Sequence, residues 1–356
     1  MSKKITTSDI ASTLGLSRNT VSKALNNHPS VSEATRRSVM EKAQSLGYGK
    51  LSRESDMPDM NDNDTMNIAF LIRSTADILN GFWGEVLRGI QEVTRQQGHN
   101  MIFYFVQEED FERMTLPQAI TNSNIKGIIL AGITNEKYLS AISNNKIPFV
   151  LIDCQPNIKA NELFFDTVLT EGEQSVYELT GHLIQHGHRQ IGFIGDIYDC
   201  RTFMERWIGF KLAMSDAALP LDNQSCITAP SPSQYFDYNE LSNILDTIEQ
   251  LPTAFVCAND LIALQVITYL ERIGLQVPRD VSVVGFDNMR FNKDLFSSYP
   301  KLTTAQVFGD HIGERAMEQL LWRMHHRERP FEFIRITSTT IIGETTGAVR
   351  DSASAH

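Results

Sequence analysis

Cysteine is scarce in this sequence, and no hydrophobic run is long enough to cross a membrane. The four cysteines are Cys154, Cys200, Cys226 and Cys257, and none belongs to a CxxC pair, so we expect reduced, mostly buried thiols. No stretch of about 18 consecutive apolar residues occurs, which argues against a transmembrane helix. The N-terminal residues carry charge, but no apolar segment follows them as in a signal peptide. We therefore expect the protein to stay in the cytoplasm.

The sequence also lacks the common motifs of nucleotide-dependent and hydrolytic enzymes. Residues 72–77, at the end of the first predicted strand, contain no glycine that would admit a pyrophosphate as in the GxGxxG motif. The motifs GxxxxGK[ST], HExxH and GxSxG are absent as well. We therefore predict that the chain is not an enzyme and needs no cofactor. A nucleotide-dependent oxidoreductase is the alternative that the missing glycines oppose.

Positive charge is in the minority overall but is concentrated at the N-terminus. The net charge of the whole chain is −11 at pH 7. Residues 1–53 carry nine Lys or Arg side chains and three acidic ones, a net charge of +6, so the rest of the chain carries −17. A basic segment on an acidic body indicates a polyanionic partner, such as nucleic acid, for that segment alone.

The length and the residue pattern divide the chain into several folding units. With 356 residues, two or three units are expected. The N-terminal unit is predicted to form three short helices, with Thr7-Ser8-Asp9 as the cap of the first and with Ser17 and Ser32 beginning the other two. Residues 52–65 hold five acids and one proline without apolar periodicity, which predicts a linker.

From Met66 onward, short apolar segments alternate with helical ones. Segments such as 68–72 and 191–194 are apolar throughout, which is typical of strands in a parallel sheet that helices cover on both faces. The alternation of strand and helix restarts after residue 166. We therefore predict an α/β fold with two Rossmann-like lobes in series. Such lobes leave a cleft at the carboxyl ends of their strands, where ligands bind.

Residues 10–26, IASTLGLSRNTVSKALN, have the pattern of a helix-turn-helix. Apolar positions face a small core, which leaves Arg18, Asn19 and Lys23 outward on the second helix. Arg18 and Lys23 suit the O6 and N7 acceptors of guanine in the major groove, and Asn19 suits adenine. The short hydroxyls suited to phosphates are Ser17, Thr20 and Ser22. The alternative is a solvated helix in a small bundle.

Several further motifs make this chain resemble the LacI/GalR family of bacterial regulators. Besides the helix-turn-helix, they are FWGEVLRGI at 82–90, HLIQHGHRQIGFIG at 182–195, RWIGF at 206–210, AND at 258–260, GLQVPRDVSVVGFD at 274–287 and LTT at 302–304. The resemblance extends from residue 5 to about residue 346 and is specific only when the motifs are taken together.

The resemblance implies a fold with a helix-turn-helix head and two Rossmann-like lobes similar to those of sugar-binding periplasmic proteins. The expected parts are a DNA-binding domain at 1–51, a hinge or linker at 52–65, an effector-binding and dimerisation domain at 66–346, and a flexible tail at 347–356. Lobe one is expected at 66–165 and 305–331, and lobe two at 166–304 and 332–346.

The resemblance also implies a function. Members of this family are sequence-specific DNA-binding transcriptional regulators, mostly repressors, and a small-molecule effector bound between the two lobes controls their affinity for an operator. A homodimer is expected, because two heads can read the two halves of a symmetric operator. Whether the effector acts as an inducer or a corepressor is left open.

Seven positions match the effector cleft of the family: Phe82, Trp83, Asp153, Arg206, Tyr238, Asn259 and Asp287. Carboxylates and an Asn at strand ends hydrogen-bond vicinal hydroxyls, and aromatic rings stack on a sugar or a base. A sugar or sugar phosphate is therefore the first expectation for the effector, and a nucleoside or purine the second. Arg201 is a further candidate. Alternatively, Asp153 or Asp287 caps a helix, or Tyr238 belongs to a core.

Two stretches depart from the family pattern. Residues 49–58 lack the spacing of the family's hinge helix, whose leucine wedges into the minor groove, and carry acids instead. Residues 166–167 are Asp-Thr where the family commonly has Asp-Asn.

A metal site and a transport function remain as alternatives. His182 and His186 have the spacing of a metal site on one helix face, but the family binds no metal there, and we predict none. A sugar-binding module of a transport system would fit the lobes, whereas the helix-turn-helix and the missing signal peptide oppose it.

Overall fold

A computed structural model of the chain describes residues 6–25, 31–45, 65–73, 81–121, 123–133, 135–159, 164–231, 237–289 and 300–349. The chain divides into two compact units, Met1–Asp62 and Asn63–His356. The stretch 49–58 and nearly all of the predicted linker lie outside the described residues, as does the predicted tail beyond residue 349. The expected limits of the head, the linker and the tail therefore stay predictions.

The described part of the first unit forms three helices, α1 (Thr7–Leu14), α2 (Arg18–Leu25) and α3 (Glu33–Ser45). The cap of α1 is Thr6, one residue earlier than predicted, because Thr6 and Asp9 satisfy each other's backbone amides in a capping box. Gly15 ends α1 in the left-handed region with a φ of 64°. The buried side chains of the three helices form one small core, consisting of Ile10, Ala11, Val21, Ala24, Val39 and Ala43.

The second unit contains a parallel sheet of six strands among its described residues. The strands are β1 (Asn67–Arg73), β2 (Asn100–Val106), β3 (Ile125–Ala131), β4 (Phe149–Ile152), β5 (Asp166–Thr170) and β11 (Phe333–Ile336), in the order β11-β5-β4-β3-β1-β2. Strands β1, β4 and β5 are buried almost throughout, as the apolar runs predict for a sheet covered on both faces.

Helices accompany the six-stranded sheet: α4 (Phe82–Gln96), α5 (Glu108–Arg113), α6 (Gln118–Thr121), α7 (Glu136–Ser143) and α12 (Gly309–His325). Helices α4 and α12 pack against each other at very short range. A Cβ on Gly89 would lie 1.8 Å from the Asp310 carbonyl oxygen, and one on Gly313 would lie 2.1 Å from the Val86 carbonyl oxygen. Only glycine permits the two backbones to approach this closely.

A second parallel sheet of the same unit has four described strands, in the order β7-β6-β8-β9. They are β6 (Ile191–Ile194), β7 (Cys226–Ile227), β8 (Ala254–Cys257) and β9 (Ser282–Val284). The helices between them are α8 (Glu173–Gln185), α9 (Arg201–Asp216), α10 (Tyr238–Leu245) and α11 (Asp260–Arg272). A short antiparallel pair, β10 (Thr304–Gln306) with β12 (Thr339–Ile341), completes the described strands.

The strand pairing corrects the expected boundary between the lobes. Residues 166–170 and 332–336 are expected in lobe two, but β5 and β11 pair with each other, and β5 pairs with β4 in the six-stranded sheet of lobe one. The chain crosses between the lobes at these strands. The alternation of strands and helices along the sequence does not show with which sheet a crossover strand pairs.

Among the described residues, the longest and most apolar helices still fall short of what spanning a bilayer requires.

Candidate functional site

The outer face of α2 carries the side chains that we predicted to contact DNA. Arg18 and Asn19 are exposed and Lys23 is half-buried, whereas Val21 and Ala24 are buried in the head core. Because successive helical residues are about 100° apart, Asn19 and Lys23 lie opposite the core and Arg18 lies at the edge of that face. This face is available to a DNA groove.

The predicted phosphate-binding hydroxyls partly serve the helix itself. Ser17 Oγ accepts a hydrogen bond from the Thr20 amide at 3.0 Å and lies 2.8 Å from Thr20 Oγ1, so Ser17 caps α2 as predicted. One hydroxyl hydrogen is used between these two side chains, which leaves the other for a phosphate oxygen. Ser22 is half-buried one turn further along.

Asp153 follows β4 in the six-stranded sheet and adopts a left-handed backbone with a φ of 66°. Its Oδ2 accepts a hydrogen bond from the Thr202 hydroxyl at 2.5 Å, and its Oδ1 accepts from the amides of Cys154 at 2.8 Å and Thr202 at 3.3 Å. Cys200, the residue before α9, makes no side-chain cap of its own. Asp153 therefore caps α9 from the other lobe, which is the helix-capping alternative considered for this residue.

Arg206 and Asp287 meet just after β9, in the lobe of the four-stranded sheet. Arg206 is buried on α9, and its guanidinium lies 3.5 Å from the Asp287 carboxylate, stacks 3.8 Å from the Phe286 ring centre and donates to the Ala258 carbonyl. Burial raises the pKa of Asp287 to about 6, and the positive charge of Arg206 opposes the shift. Asp287 follows β9, and its backbone has a φ of 113°. This carboxyl therefore gains a proton more readily than an exposed one.

Asn259 and Asp260 stand at the start of α11. The Asn259 carboxamide oxygen caps α11 by accepting from the Ile262 amide at 2.9 Å. Asp260, which the sequence analysis did not select, accepts from the Thr304 hydroxyl at 2.7 Å and from the Met289 amide at 2.8 Å. Burial raises the pKa of Asp260 to about 8, and the charge of Asp287 adds to this effect. Asp260 therefore joins the start of α11 to Thr304 and Met289, and the AND motif at 258–260 contains it without indicating this role.

Phe82 and Trp83 form an aromatic corner at the start of α4. Their ring centres are 4.8 Å apart in an edge-to-face arrangement, and both side chains are half-buried. The indole ring lies against Gly132 at the end of β3. A Cβ on Gly81, directly before this corner, would meet the Met289 side chain at 2.2 Å, so the corner adjoins the wall that contains Asp287.

Tyr238 is not brought together with the other predicted effector residues. Its ring lies 5.9 Å from the guanidinium carbon of Arg272, which ends α11. Asn259 caps the other end of this helix, which is about 18 Å long at 1.5 Å per residue. We therefore remove Tyr238 from the candidate cleft. The sequence shows that Tyr238 starts α10, but it does not show which end of α11 the Tyr238 side chain contacts.

Two more carboxyls near Asp153 were missed by the sequence analysis. Asp196 follows β6 and accepts from the amides of Tyr198 and Ser231, at 2.9 and 2.8 Å. Burial raises the pKa of Asp199 to about 7, the charges of Asp153 and Asp196 add to the shift, and that of Arg73 opposes it. Their position after a parallel strand was the signal that could have identified them.

The described residues contain no group of three His, Cys, Asp or Glu side chains that is arranged to hold a metal ion. His182 lies 3.1 Å from the Thr346 hydroxyl, and His188 hydrogen-bonds the Thr253 hydroxyl and the Gly347 carbonyl. These rings attach the C-terminal segment to lobe two. All four cysteines are described and carry free thiols, of which three are buried.

Comparison with known proteins finds related sequences over nearly the whole chain. The family described as bacterial regulatory proteins, lacI family, matches residues 6–50, and the periplasmic binding protein-like domain matches residues 180–346. The HTH-type transcriptional repressor PurR of Aliivibrio fischeri strain MJ11 is 30% identical over 338 residues, which are 92% of this chain and 95% of that protein.

Solved structures with the same fold include two transcription regulators. The complex of transcriptional regulator CelR with cellobiose has a TM-score of 0.67 at 20% identity and covers 96% of this chain and 99% of its own. The Lac repressor dimer bound to operator and the anti-inducer ONPF has a TM-score of 0.64 at 19% identity and covers 97% and 100%. At these identities the two structures share the fold alone with this chain.

Proposed function

The chain belongs to the LacI family of bacterial regulatory proteins, and from this premise we propose that it is a repressor that binds its operator as a homodimer. It is a DNA-binding transcriptional regulator with an effector-binding domain. The relative with 30% identity is called a repressor, and the Lac repressor structure is a dimer on its operator. We extend both properties to this chain because its DNA-binding head precedes a two-lobed effector-binding domain, as in that family.

The exposed face of α2 is proposed to read the major groove. Arg18 and Lys23 would donate to guanine, Asn19 would pair with adenine, and the hydroxyls of Ser17, Thr20 and Ser22 would hold phosphates. The net charge of +6 in residues 1–53, against −17 in the rest, supports a DNA contact through the head alone.

The effector is proposed to lie between the lobes, in contact with Phe82, Trp83, Asp153, Arg206, Asn259 and Asp287. The observation that carries this proposal is that Asp153 and Asp287 stand at the carboxyl ends of strands in the two different sheets. A molecule that bridges these carboxylates binds both lobes at once, and its occupancy changes the angle between them.

The charges of the cleft indicate an uncharged effector. Four carboxyls, those of Asp153, Asp196, Asp199 and Asp287, outnumber the guanidinium groups of Arg73 and Arg206 there, and Arg206 already bonds Asp287 and a carbonyl. A phosphate would be repelled, whereas sugar hydroxyls donate to carboxylates. An unphosphorylated sugar is therefore our first candidate, as CelR with cellobiose suggests, and a purine is the second, as the name PurR suggests.

We further propose that the chain catalyses no reaction and acts in the cytoplasm. The family consists of transcriptional regulators rather than enzymes, which favours the first statement. A regulator of transcription acts where the chromosome lies, which favours the second.

A binding screen coupled to an operator assay tests this function. The operator is first selected from random duplexes with the full-length protein. Ribose, cellobiose, glucose 6-phosphate, guanine, hypoxanthine and adenosine are then screened for a rise in the melting temperature. We expect an unphosphorylated sugar or a purine to raise it and to change operator affinity about 5- to 150-fold, an ordinary range for coupling between two sites.

The variant Asp287→Asn should abolish the response to that compound, while Glu178→Gln, an exposed carboxyl on α8, should retain it. Selection of no duplex at modest salt would contradict the DNA-binding proposal. A response to glucose 6-phosphate alone would contradict the effector class.

A further inference from the structure

The first turn of α9 is fixed by contacts that cross from one lobe to the other. The Arg201 amide donates to the Cys154 carbonyl at 2.7 Å, and the Arg201 side chain donates to the Pro156 carbonyl at 2.9 Å. Together with the bond from Thr202 to Asp153, these contacts attach the start of α9 to the loop after β4. The loop supplies the acceptors that the free amides at a helix start require.

Glu205 adds a second attachment one turn further along α9. Its carboxylate is buried, with 3% of the side chain exposed, and one oxygen accepts from Arg201 Nε at 2.7 Å and from an Arg335 terminal nitrogen at 2.6 Å. Arg335 belongs to β11, the crossover strand at the edge of the six-stranded sheet, and about half of its side chain is exposed. The same carboxylate therefore binds its own helix and the opposite lobe.

The ionic contact between Glu205 and Arg335 depends on the angle between the lobes. Arg335 is held in the six-stranded sheet by the pairing of β11 with β5, whereas α9 packs on α8 beside the four-stranded sheet. A rotation of one lobe moves the guanidinium away from the carboxylate. Such a rotation leaves the buried carboxylate with Arg201 as its cationic partner and removes the contact with Arg335, so this contact favours one lobe angle over others.

We propose that Glu205 is a positioning residue of the effector response. It holds the start of α9 against β11 at the lobe angle at which Asp153 caps α9. The inference rests on the proposed function, because Glu205 stabilises the angle between the lobes that effector binding is proposed to change. An effector hydroxyl that displaces Thr202 from Asp153 removes one contact of the first attachment. The contact between Glu205 and Arg335 then determines how far the lobes keep their present angle.

The test compares the full-length parent with Glu205→Gln, which keeps the shape and removes the charge, and with Arg335→Ala, which removes only the half-exposed partner. Amide hydrogen exchange is measured in peptides covering 154–159 and 201–206. We expect both variants to raise exchange at least tenfold in both peptides. We also expect the change in operator affinity caused by cellobiose or guanine, whichever acts on the parent, to fall at least fivefold.

Two control variants separate positioning from general destabilisation. Glu178→Gln, an exposed carboxyl on α8, should leave exchange in both peptides unchanged. Val283→Ala, a buried residue of β9, should lower the melting temperature without the selective rise in the two peptides. If Val283→Ala reproduces the pattern of Glu205→Gln, Glu205 is merely structural and the inference is overturned.

Other outcomes distinguish this inference from the proposed function. Unchanged hydrogen exchange at 154–159 in both Glu205→Gln and Arg335→Ala overturns the inference even if effector control is intact. If Glu205→Gln does not fold, Arg335→Ala decides alone. If no compound of the panel alters operator affinity in the parent, the effector proposal fails, while hydrogen exchange still decides whether Glu205 joins the lobes.

Discussion

Arg323 and Asp166 form a buried, two-armed ion pair between the end of α12 and the start of β5. Two guanidinium nitrogens of Arg323 donate to the two Asp166 oxygens at 2.6 and 2.7 Å, and one of these oxygens also accepts from the Glu332 amide at 2.8 Å. The remaining donors of Arg323 reach the carbonyls of His326, Arg329 and Pro330. The pair therefore joins two crossover segments that are far apart in the sequence.

Removal of the arginine should leave an uncompensated charge in the interior. We expect Arg323→Met to lower the free energy of unfolding by about 3–5 kcal/mol, the usual cost of breaking a buried ion pair from one side. The measurement is the urea midpoint followed by circular dichroism. Arg329→Met, at an exposed position, is the control and should change the midpoint little. Equal midpoints for the two variants would show that the pair contributes no stability.

The head should lose operator affinity when its two reading cations are removed. For Arg18→Ala/Lys23→Ala we expect affinity to fall by at least about 30-fold, because each good base contact is worth about 1–3 kcal/mol. Gel retardation on the selected operator measures this, and effector binding to the other unit should persist. Lys126→Ala/Lys137→Ala removes the same charge from the exposed surface of the second unit and should bind as the parent does. Normal retardation by the head variant would mean that α2 does not read DNA.

The contact between α4 and α12 should tolerate no side chain at Gly313. We expect Gly313→Ala to cost about 2–4 kcal/mol, since the new Cβ would stand 2.1 Å from the Val86 carbonyl oxygen and one helix must move. Gly181→Ala in α8 is the matched control, because open space surrounds that position and alanine favours a helix by up to about 1 kcal/mol. Thermal unfolding of both variants is the measurement. A stable Gly313→Ala protein would disprove the close approach.

The buried histidine of lobe two should make stability depend on pH. Burial lowers the pKa of His188 from its usual 6.5, and the charge of His186 adds to the shift, while the hydrogen bond with the Gly347 carbonyl opposes it. The unfolded chain therefore takes up the proton first, so the free energy of unfolding is retained above pH 6.5 and falls as pH drops below it.

Urea midpoints are measured at pH 7.5 and 5.5, and we expect the midpoint of His188→Gln to fall less, or rise more, over this change than that of the parent. The buried carboxyls Asp199, Asp260 and Asp287, whose pKa values burial raises, act in the opposite direction and are present in both proteins. Part of the slope should remain, since burial lowers the pKa of His182 too. His311→Gln removes an exposed ring and should keep the slope of the parent. An unchanged slope in His188→Gln would count against the assignment.

Much of the fold could be predicted because its signals are local. The start of α2 at Ser17 and the buried strands at 68–72 and 191–194 follow from caps and periodicity over a few residues. The candidate cleft was less predictable. Tyr238 lies beside Arg272 instead, and Asp196 and Asp199 were missed, because the end of a helix that a side chain faces depends on packing between elements.

By itself, the sequence determined the helix-turn-helix head, the α/β class of the body and the opposite charges of the two, since each depends on residue type and short-range spacing. Only the tertiary structure decided that β5 and β11 join the six-stranded sheet, that Asp153 caps α9, and that Glu205 binds Arg335 across 130 positions of chain. The physical reason is that a hydrogen-bonding group accepts any partner of suitable chemistry, and the packing of the two lobes selects which one comes within reach.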